Sequence, residues 1–377
     1  MALLFLVGCG FSAHGGLQDP VDAPANTPID SAPGDPDAAR TDWWNAGWGH
    51  RRLVTIDTSK LSKSLMGYPL AGFPVLVKLT PQTINYAAVK SDGSDLRFVL
   101  PDQTTVLPYD IDTFASNGTS LIWVRIPALA ATAVQTLFVY HGNATATPSA
   151  SGADVFADSH VSVHHLGADY TDVTGHAHTG TPTGSPGIAT GSPLGGARQF
   201  DGSSDYVTLA GEASYDFTTT LTVSAWIRIA GFDVVYQAIV TKGDTAWRIQ
   251  RENATRHLGF GTTSGTAFDN VEGKTTVDND QWHHAAIVYD GAKKLVYVDG
   301  VEDATKNYAL TLDQNDEAVA IGRNSESPPT LGGQRLWKGD LDEIRISSVA
   351  RAPAWIGAEY VTATNAAFVV IGADQRY

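Results

Sequence analysis

Short strand-like runs rich in apolar residues and broken by turn signals recur along most of this chain, and one of them alternates strictly between apolar and polar positions. Residues 221–229, Leu-Thr-Val-Ser-Ala-Trp-Ile-Arg-Ile, are the clearest case. Successive strand residues point to opposite sides, so Val223, Ala225, Ile227 and Ile229 share one face and Thr222, Ser224, Trp226 and Arg228 the other. Similar runs occupy residues 52–56, 73–79, 121–126 and 137–140, with turns at Ser91-Asp92-Gly93, Pro101-Asp102 and Asn117-Gly118. Later come residues 238–243 and 246–250 across a Gly-Asp turn, 281–289 and 295–300 across Asp290-Gly291, and a last clear strand at 341–347. No helix-period stretch of useful length interrupts the first half. The pattern predicts an all-β protein of two β-sandwich domains, at residues 43–150 and 151–377.

The first 42 residues do not follow this pattern. Residues 1–8 are an apolar run ending at Cys9, the only cysteine, so no disulfide can form within the chain. Residues 17–42 are Asp, Pro and Ala with almost no large apolar side chains. Such a stretch cannot bury enough surface to fold and is expected to be a disordered tether. Leu6-Val7-Gly8-Cys9 resembles the lipobox of bacterial lipoproteins, which implies a signal and anchor over residues 1–16 with lipidation at Cys9. Gly10, rather than an aspartate, follows the cysteine, so outer-membrane or cell-surface localisation is the expectation. A formal net charge of −15 argues against nucleic acid as a partner and against any membrane contact except through a lipid.

Five ordered motifs in the first sandwich resemble a bacterial domain of unknown function (family 2341) that precedes laminin-G-like jelly rolls. They are Trp44…Trp48…Arg51-Arg52, Gly93 to Phe98, Leu107 to Ile111, Trp123 to Pro127, and Tyr140-His141-Gly142-Asn143. Asp95 and Arg97 share a strand face there, as a polar site or a structural ion pair. Five more in the second half resemble the laminin-G-like jelly roll of the concanavalin A-like lectin/glucanase superfamily. These are F-D-G-x-x-D-Y-V from Phe200, T-V-S-A-W-I from Thr222, W-H-H-A-A-I-V-Y-D-G from Trp282, L-V-Y-V-D-G from Leu295 and G-D-L-D-E-I-R-I-S from Gly339. The likeness runs on through Trp355 and Glu359-Tyr360 to the tail.

The resemblance implies a structural Ca²⁺ on the jelly-roll rim, held by Asp342 with Asp201 and the Gly202 backbone, because hard oxygen ligands suit calcium. The plainer alternative has Asp342 paired with Arg345 and Asp201 in an ordinary turn. Glucanases of the superfamily set three carboxylates at alternate positions of one strand. Here Asp340 and Asp342 share a face, Ile344 follows, and Glu343 is expected to point away, which leaves that set incomplete. His164-His165, His176 with His178, and His283-His284 look zinc-like at first sight; His176 and His178 lie in a loop and lack an evident third metal ligand, and His283-His284 point to opposite faces. Sugar binding calls for aromatic faces and planar polar groups near turns, and Trp247, Arg248, Tyr236, His257 and Trp337 are the candidates. Trp226 and Trp282 fall within strand motifs and are expected in the core. The expectation is a non-catalytic, lipid-anchored surface protein that recognises a glycan or another surface protein. A polysaccharide-degrading enzyme or its accessory module, and a structural spacer, are the alternatives.

Overall fold

Each strand-like run becomes a strand in the computed structural model, which describes residues 42–61, 69–130, 133–265, 267–326 and 331–377. The expected anchor at Cys9 and the tether up to residue 41 lie outside the described residues. The first sandwich contains β1 (His50–Asp57), β2 (Leu70–Leu79), β3 (Arg97–Val99), β4 (Val106–Leu107), β5 (Tyr109–Thr113), β6 (Ser120–Leu129) and β7 (Val134–His141). The jelly roll begins with β8 (His160–His164), β9 (Gly180–Thr183), β10 (Gly187–Ser192), β11 (Gly195–Asp201) and β12 (Tyr206–Leu209). It continues with β13 (Leu221–Arg228), β14 (Ala238–Thr241), β15 (Trp247–Arg251), β16 (Leu258–Ser264) and β17 (Ala267–Glu272). Then follow β18 (Trp282–Tyr289), β19 (Lys293–Val298), β20 (Val301–Asn307), β21 (Ala320–Ile321) and β22 (Lys338–Ser347). A helix at Pro353–Thr364, with proline where a first-turn amide needs no partner, leads to β23 (Val369–Arg376).

These strands make four antiparallel sheets. The jelly roll packs an inner sheet, β10-β11-β22-β13-β18-β19-β20 with β8 on β22, against an outer one, β17-β16-β15-β14-β21-β12-β9. Between them lie Val223, Ala225, Ile227 and Ile229, as the alternation predicts, together with Phe260, Trp247 and Trp337. The first sandwich packs β2-β6-β5 against β23-β1-β7-β3-β4. The last strand of the chain therefore belongs to the first sandwich, paired with β1 from His50↔Arg376 to Ile56↔Val369. A domain cut at residue 150 that assigns 151–377 wholly to the jelly roll needs this correction.

The two sandwiches share buried surface. On β2 and β6, Phe73, Val75, Val77, Ile122 and Val124 face the first interior. The intervening Leu76, Leu121 and Trp123 face the jelly roll and pack with Phe156, Val163 and Trp226. Trp226 is buried as expected, but in this seam, not inside the jelly roll. The helix closes the remaining gap: Trp355 stands edge-on to Phe73 at 4.9 Å, in one cluster with Ala286, Val288 and Tyr297 of the jelly roll. Residues 42–377 form a single compact unit.

A shared core predicts shared unfolding. Trp355→Ala should cost about 3–5 kcal/mol, with tryptophan fluorescence and far-UV circular dichroism still reporting one urea transition. Two separated transitions in the wild type would show that the sandwiches are independent.

Candidate functional site

The jelly-roll face that turns toward the first sandwich is where glucanase-type chemistry would have to sit, and a one-residue irregularity shapes it. In the β13–β22 ladder Ser224 pairs with Arg345 but Trp226 pairs with Asp342, so β22 carries one extra residue. The bulge is at Glu343, whose φ is +48°. Leu341 and Ile344 both enter the jelly-roll interior. Asp342 and Glu343 therefore emerge together on the seam side. The expectation that Glu343 points away is overturned, because strict alternation fails where a bulge intervenes.

Glu343 meets a histidine hub there. His165, just after β8, places Nδ1 2.7 Å from Glu343 Oε2 and Nε2 3.0 Å from Asp110 Oδ2. Asp112, two residues along β5 and so on the same face, lies 3.7 Å from His165 Nδ1 and accepts from the Trp123 indole N–H at 3.3 Å. Arg345 donates to Glu343 at 2.9 Å and to Glu359 at 3.3 Å and covers the Trp123 ring at 4.3 Å. Asp342 accepts from the Ser192 hydroxyl and from the Glu343 amide.

Burial alone would push His165 down, but Glu343, Asp112 and Asp110 outweigh it and hold the imidazole well above its usual range. Burial, with repulsion from Glu343 and Asp112, pushes the Asp342 carboxyl well above its usual range. Burial likewise lifts Asp112 to about 6 despite His165. Glu343 stays below the usual carboxylate range because His165 and Arg345 overcome its burial. The void left beside Trp123, Trp226, Glu343 and Glu359 is only about 10 Å³, room for about one water. Carboxylates do gather on this face, and the void beside Glu343 and Glu359 is too small for a sugar ring.

Open space lies instead at the strand ends, in a cleft of about 770 Å³. Asp201, Asp205, Asp233, Asp280 and Asp340 line it with Arg228, Lys338 and Gln199. Arg228 bonds Asp340 at 2.7 Å through Nε, and Lys338 meets Asp233 at 2.7 Å. Asp201 accepts from the amides of Ser203 and Ser204 at 2.8 Å and Asp205 at 3.0 Å; against a burial effect that would raise it, these bonds hold its carboxyl well below the usual range. It is the ordinary turn of the plainer alternative. Asp201 pairs with Lys338 and Arg198 with Leu341, which places Asp342 four ladder positions, ~13 Å, from Asp201. The structure does not bring the three proposed calcium ligands, Asp342, Asp201 and Gly202, together, and Arg345 pairs with Glu343 rather than Asp342.

The aromatic candidates also require correction. Trp247 and Trp337 are wholly buried, and the Trp247 indole donates to the Tyr215 carbonyl. Arg248 is buried and bonds Asp244 and Asn270. Tyr236 and His257 stay half-buried, Tyr236 under Arg335 and His257 bonded to Glu272 at 2.9 Å, and neither lines the cleft. His176 and His178 both bond the Val161 carbonyl. Asp95 and Arg97 each brace loops: Asp95 accepts from the Lys90, Gly142 and Asn143 amides, and Arg97 donates to the Ser94 and Thr147 carbonyls. Sequence reasoning noted His165 only within a zinc-like His164-His165 pair and missed Asp110 and Asp112 as its partners, because their apposition joins elements far apart in the chain. The pair Asp110-x-Asp112, which begins inside the Leu107 to Ile111 motif, was the other signal available.

Comparison with known proteins agrees with this architecture. Residues 201–357 match the concanavalin A-like lectin/glucanases superfamily, in its laminin-G form, and residues 92–159 match a domain of unknown function, DUF2341. The chain thus carries a concanavalin A-like jelly roll preceded by that domain. No curated protein matches it in sequence. Among solved structures, the binding domain of Paraclostridial Mosquitocidal Protein 1 is 15% identical with a TM-score of 0.47, over 55% of this chain and 53% of that one. Domain 4 of AbnA, an extracellular arabinanase from Geobacillus stearothermophilus in complex with arabinotriose, is 20% identical with a TM-score of 0.45, over 55% and 98%. The binding domain of botulinum neurotoxin serotype C1 is 12% identical with a TM-score of 0.43, over 55% and 52%. The chain spans about half the length of the two toxin domains.

A protonated His165 stabilises the seam only while it keeps its proton. Because its folded value is raised above 6.5, its contribution is complete below pH 6.5 and is lost as pH rises through the folded value. His165→Ala should cost ~3–5 kcal/mol in denaturant unfolding at pH 6. In His165→Gln the alkaline loss of stability seen in the wild type should be missing; an unchanged alkaline slope would exclude the hub as its source.

Proposed function

We propose that this chain is a non-catalytic glycan-binding protein of the cell surface, held there by a lipid on Cys9, and that the strand-end cleft of the jelly roll is its ligand face. The observation that carries the reading is the cleft's lining. Carboxylates, a guanidinium and an amide are the planar groups that bond sugar hydroxyls in pairs. Five carboxylates against two cations repel sulfated, phosphorylated or uronic polymers, so the ligand is a neutral polysaccharide. The close packing of the seam supports binding over hydrolysis, since Glu343 is tied to His165 and Arg345 and the void beside it has no room for a sugar ring.

Affinity electrophoresis and calorimetry against a panel of neutral and acidic polysaccharides test this. Retention by a neutral polymer is expected, with about tenfold weaker binding or worse for Gln199→Ala combined with Lys338→Ala, a loss of about 1.4 kcal/mol. Retention by no polymer would leave a structural spacer. Release of reducing ends from any polymer, lost in Asp340→Ala, would establish the enzyme instead.

A further inference from the structure

Far along the first sandwich from the seam, three strands set two histidines and an aspartate side by side. His50 of β1 pairs directly with His141 of β7, and Arg52, two residues on, pairs with Asp374 of β23. Residues directly opposite in an antiparallel ladder share a face, as do positions i and i+2. His50, His141 and Asp374 consequently project from the same side of β23-β1-β7. The imidazoles lie 5.0 Å apart, 21° from parallel. One ligand atom from each of the three lies within 4.8 Å of the others.

His141 is wholly buried, and neither of its ring nitrogens has a hydrogen-bond partner. A buried imidazole with both nitrogens unsatisfied costs on the order of 1–3 kcal/mol per group, so natural sequences rarely keep one without a use. Asp374 Oδ1 is similarly unpartnered and stands 4.0 Å from His141 Nε2, while Asp374 Oδ2 meets His50 Nδ1 at 2.9 Å. The surroundings hold this geometry. Asp95 accepts from the amides of Gly142 and Asn143 and so pins the turn that presents His141. Gly142 has φ +88°, and a Cβ there would stand 2.9 Å from His50 Cδ2, so only glycine leaves room for that ring. Arg52 Nε, at 3.9 Å, and the largely exposed Arg376, at 3.6 Å, also face Asp374, and Arg52 is turned aside to the Gly372 carbonyl.

We infer that His50, His141 and Asp374 form a site for a divalent transition-metal ion of the zinc type. Two imidazoles and a carboxylate are a common three-ligand set for such ions, and a water completes the tetrahedron. Tetrahedral ligands stand ~3.3 Å apart; His141 Nε2 and Asp374 Oδ1 are at 4.0 Å and the three ligand atoms lie within 4.8 Å of one another, so binding needs shifts of up to about 1.5 Å and a turn of the near-parallel imidazoles toward the ion. His50 and Asp374 are each about one-fifth exposed and supply the entry route. The ion would clip β23, the end of the chain, to β1 and β7. His141 lies in the Tyr140-His141-Gly142-Asn143 motif, and the inference gives that motif a chemical reason independent of any glycan.

The test is zinc binding by the tag-free, chelator-treated protein, followed by calorimetry and by elemental analysis after desalting. One equivalent of zinc per chain is expected, with a higher thermal midpoint and slower amide exchange in residues 369–376. His141→Ala and Asp374→Asn should each weaken binding by more than about a hundredfold. Should the buried His141 variant fold poorly, the partly exposed His50→Asn carries the same expectation. Less than stoichiometric zinc in the wild type would overturn the site, as would variants that bind as the wild type does. Cobalt substitution gives an independent readout, since a tetrahedral nitrogen–oxygen site turns the bound ion intensely blue and an octahedral surface ion stays pale.

Discussion

The bulge at Glu343 is the constraint on which the rest of this molecule turns. One extra residue in β22 swings two adjacent acidic side chains to the same side, into a seam where a second sheet already presents Asp110 and Asp112. Carboxylates brought together out of water repel one another and lose hydration, and either effect alone would force the two sandwiches apart. A histidine whose pKa the surrounding carboxylates raise, an arginine laid over Trp123 and an aspartate whose pKa burial pushes up resolve the conflict. The polar hub is thus the condition under which the apolar contacts around Leu76, Phe156 and Trp226 can close. A buried ionic group of this kind adds specificity of register more than net stability.

With its inward face committed to the first sandwich, the jelly roll has its strand ends and loops left for recognition. The cleft there owes its polarity to the ends of β11, β13 and β22, where the strands leave the core and their side chains meet water. The same strands supply the seam further along their length, so one set of elements serves cohesion at one end and opens the proposed ligand cleft at the other. The return of the last strand to the first sheet reinforces this division, because it ties the chain's end to its beginning around the jelly roll.

Much of the fold was legible before any coordinates. The alternation in residues 221–229 predicts which residues enter the jelly-roll interior, and all four do. Phe73 to Leu79 and Leu121 to Ile126 read as nearly continuous apolar runs, which signals strands buried on both faces, but the run alone does not say what covers the second face. The binding candidates fared worse. Trp247 and Trp337 stand beside turn residues, yet their rings point into the core and their indoles meet backbone or packing atoms. Nearness to a turn in sequence is a poor guide to exposure when neighbouring residues of a strand face opposite ways.

What the sequence by itself determined is local: strand positions, turn chemistry, the two-domain order and the inward faces, because these follow from a period of two and from the residues that tolerate turns. The tertiary structure alone decided where that period breaks, which residues from positions 110, 165 and 343 meet in one seam, and that positions 50, 141 and 374 share one sheet face. Bulges and strand order are set by packing between distant segments, and the energies involved reside in pairs that no single stretch of chain contains.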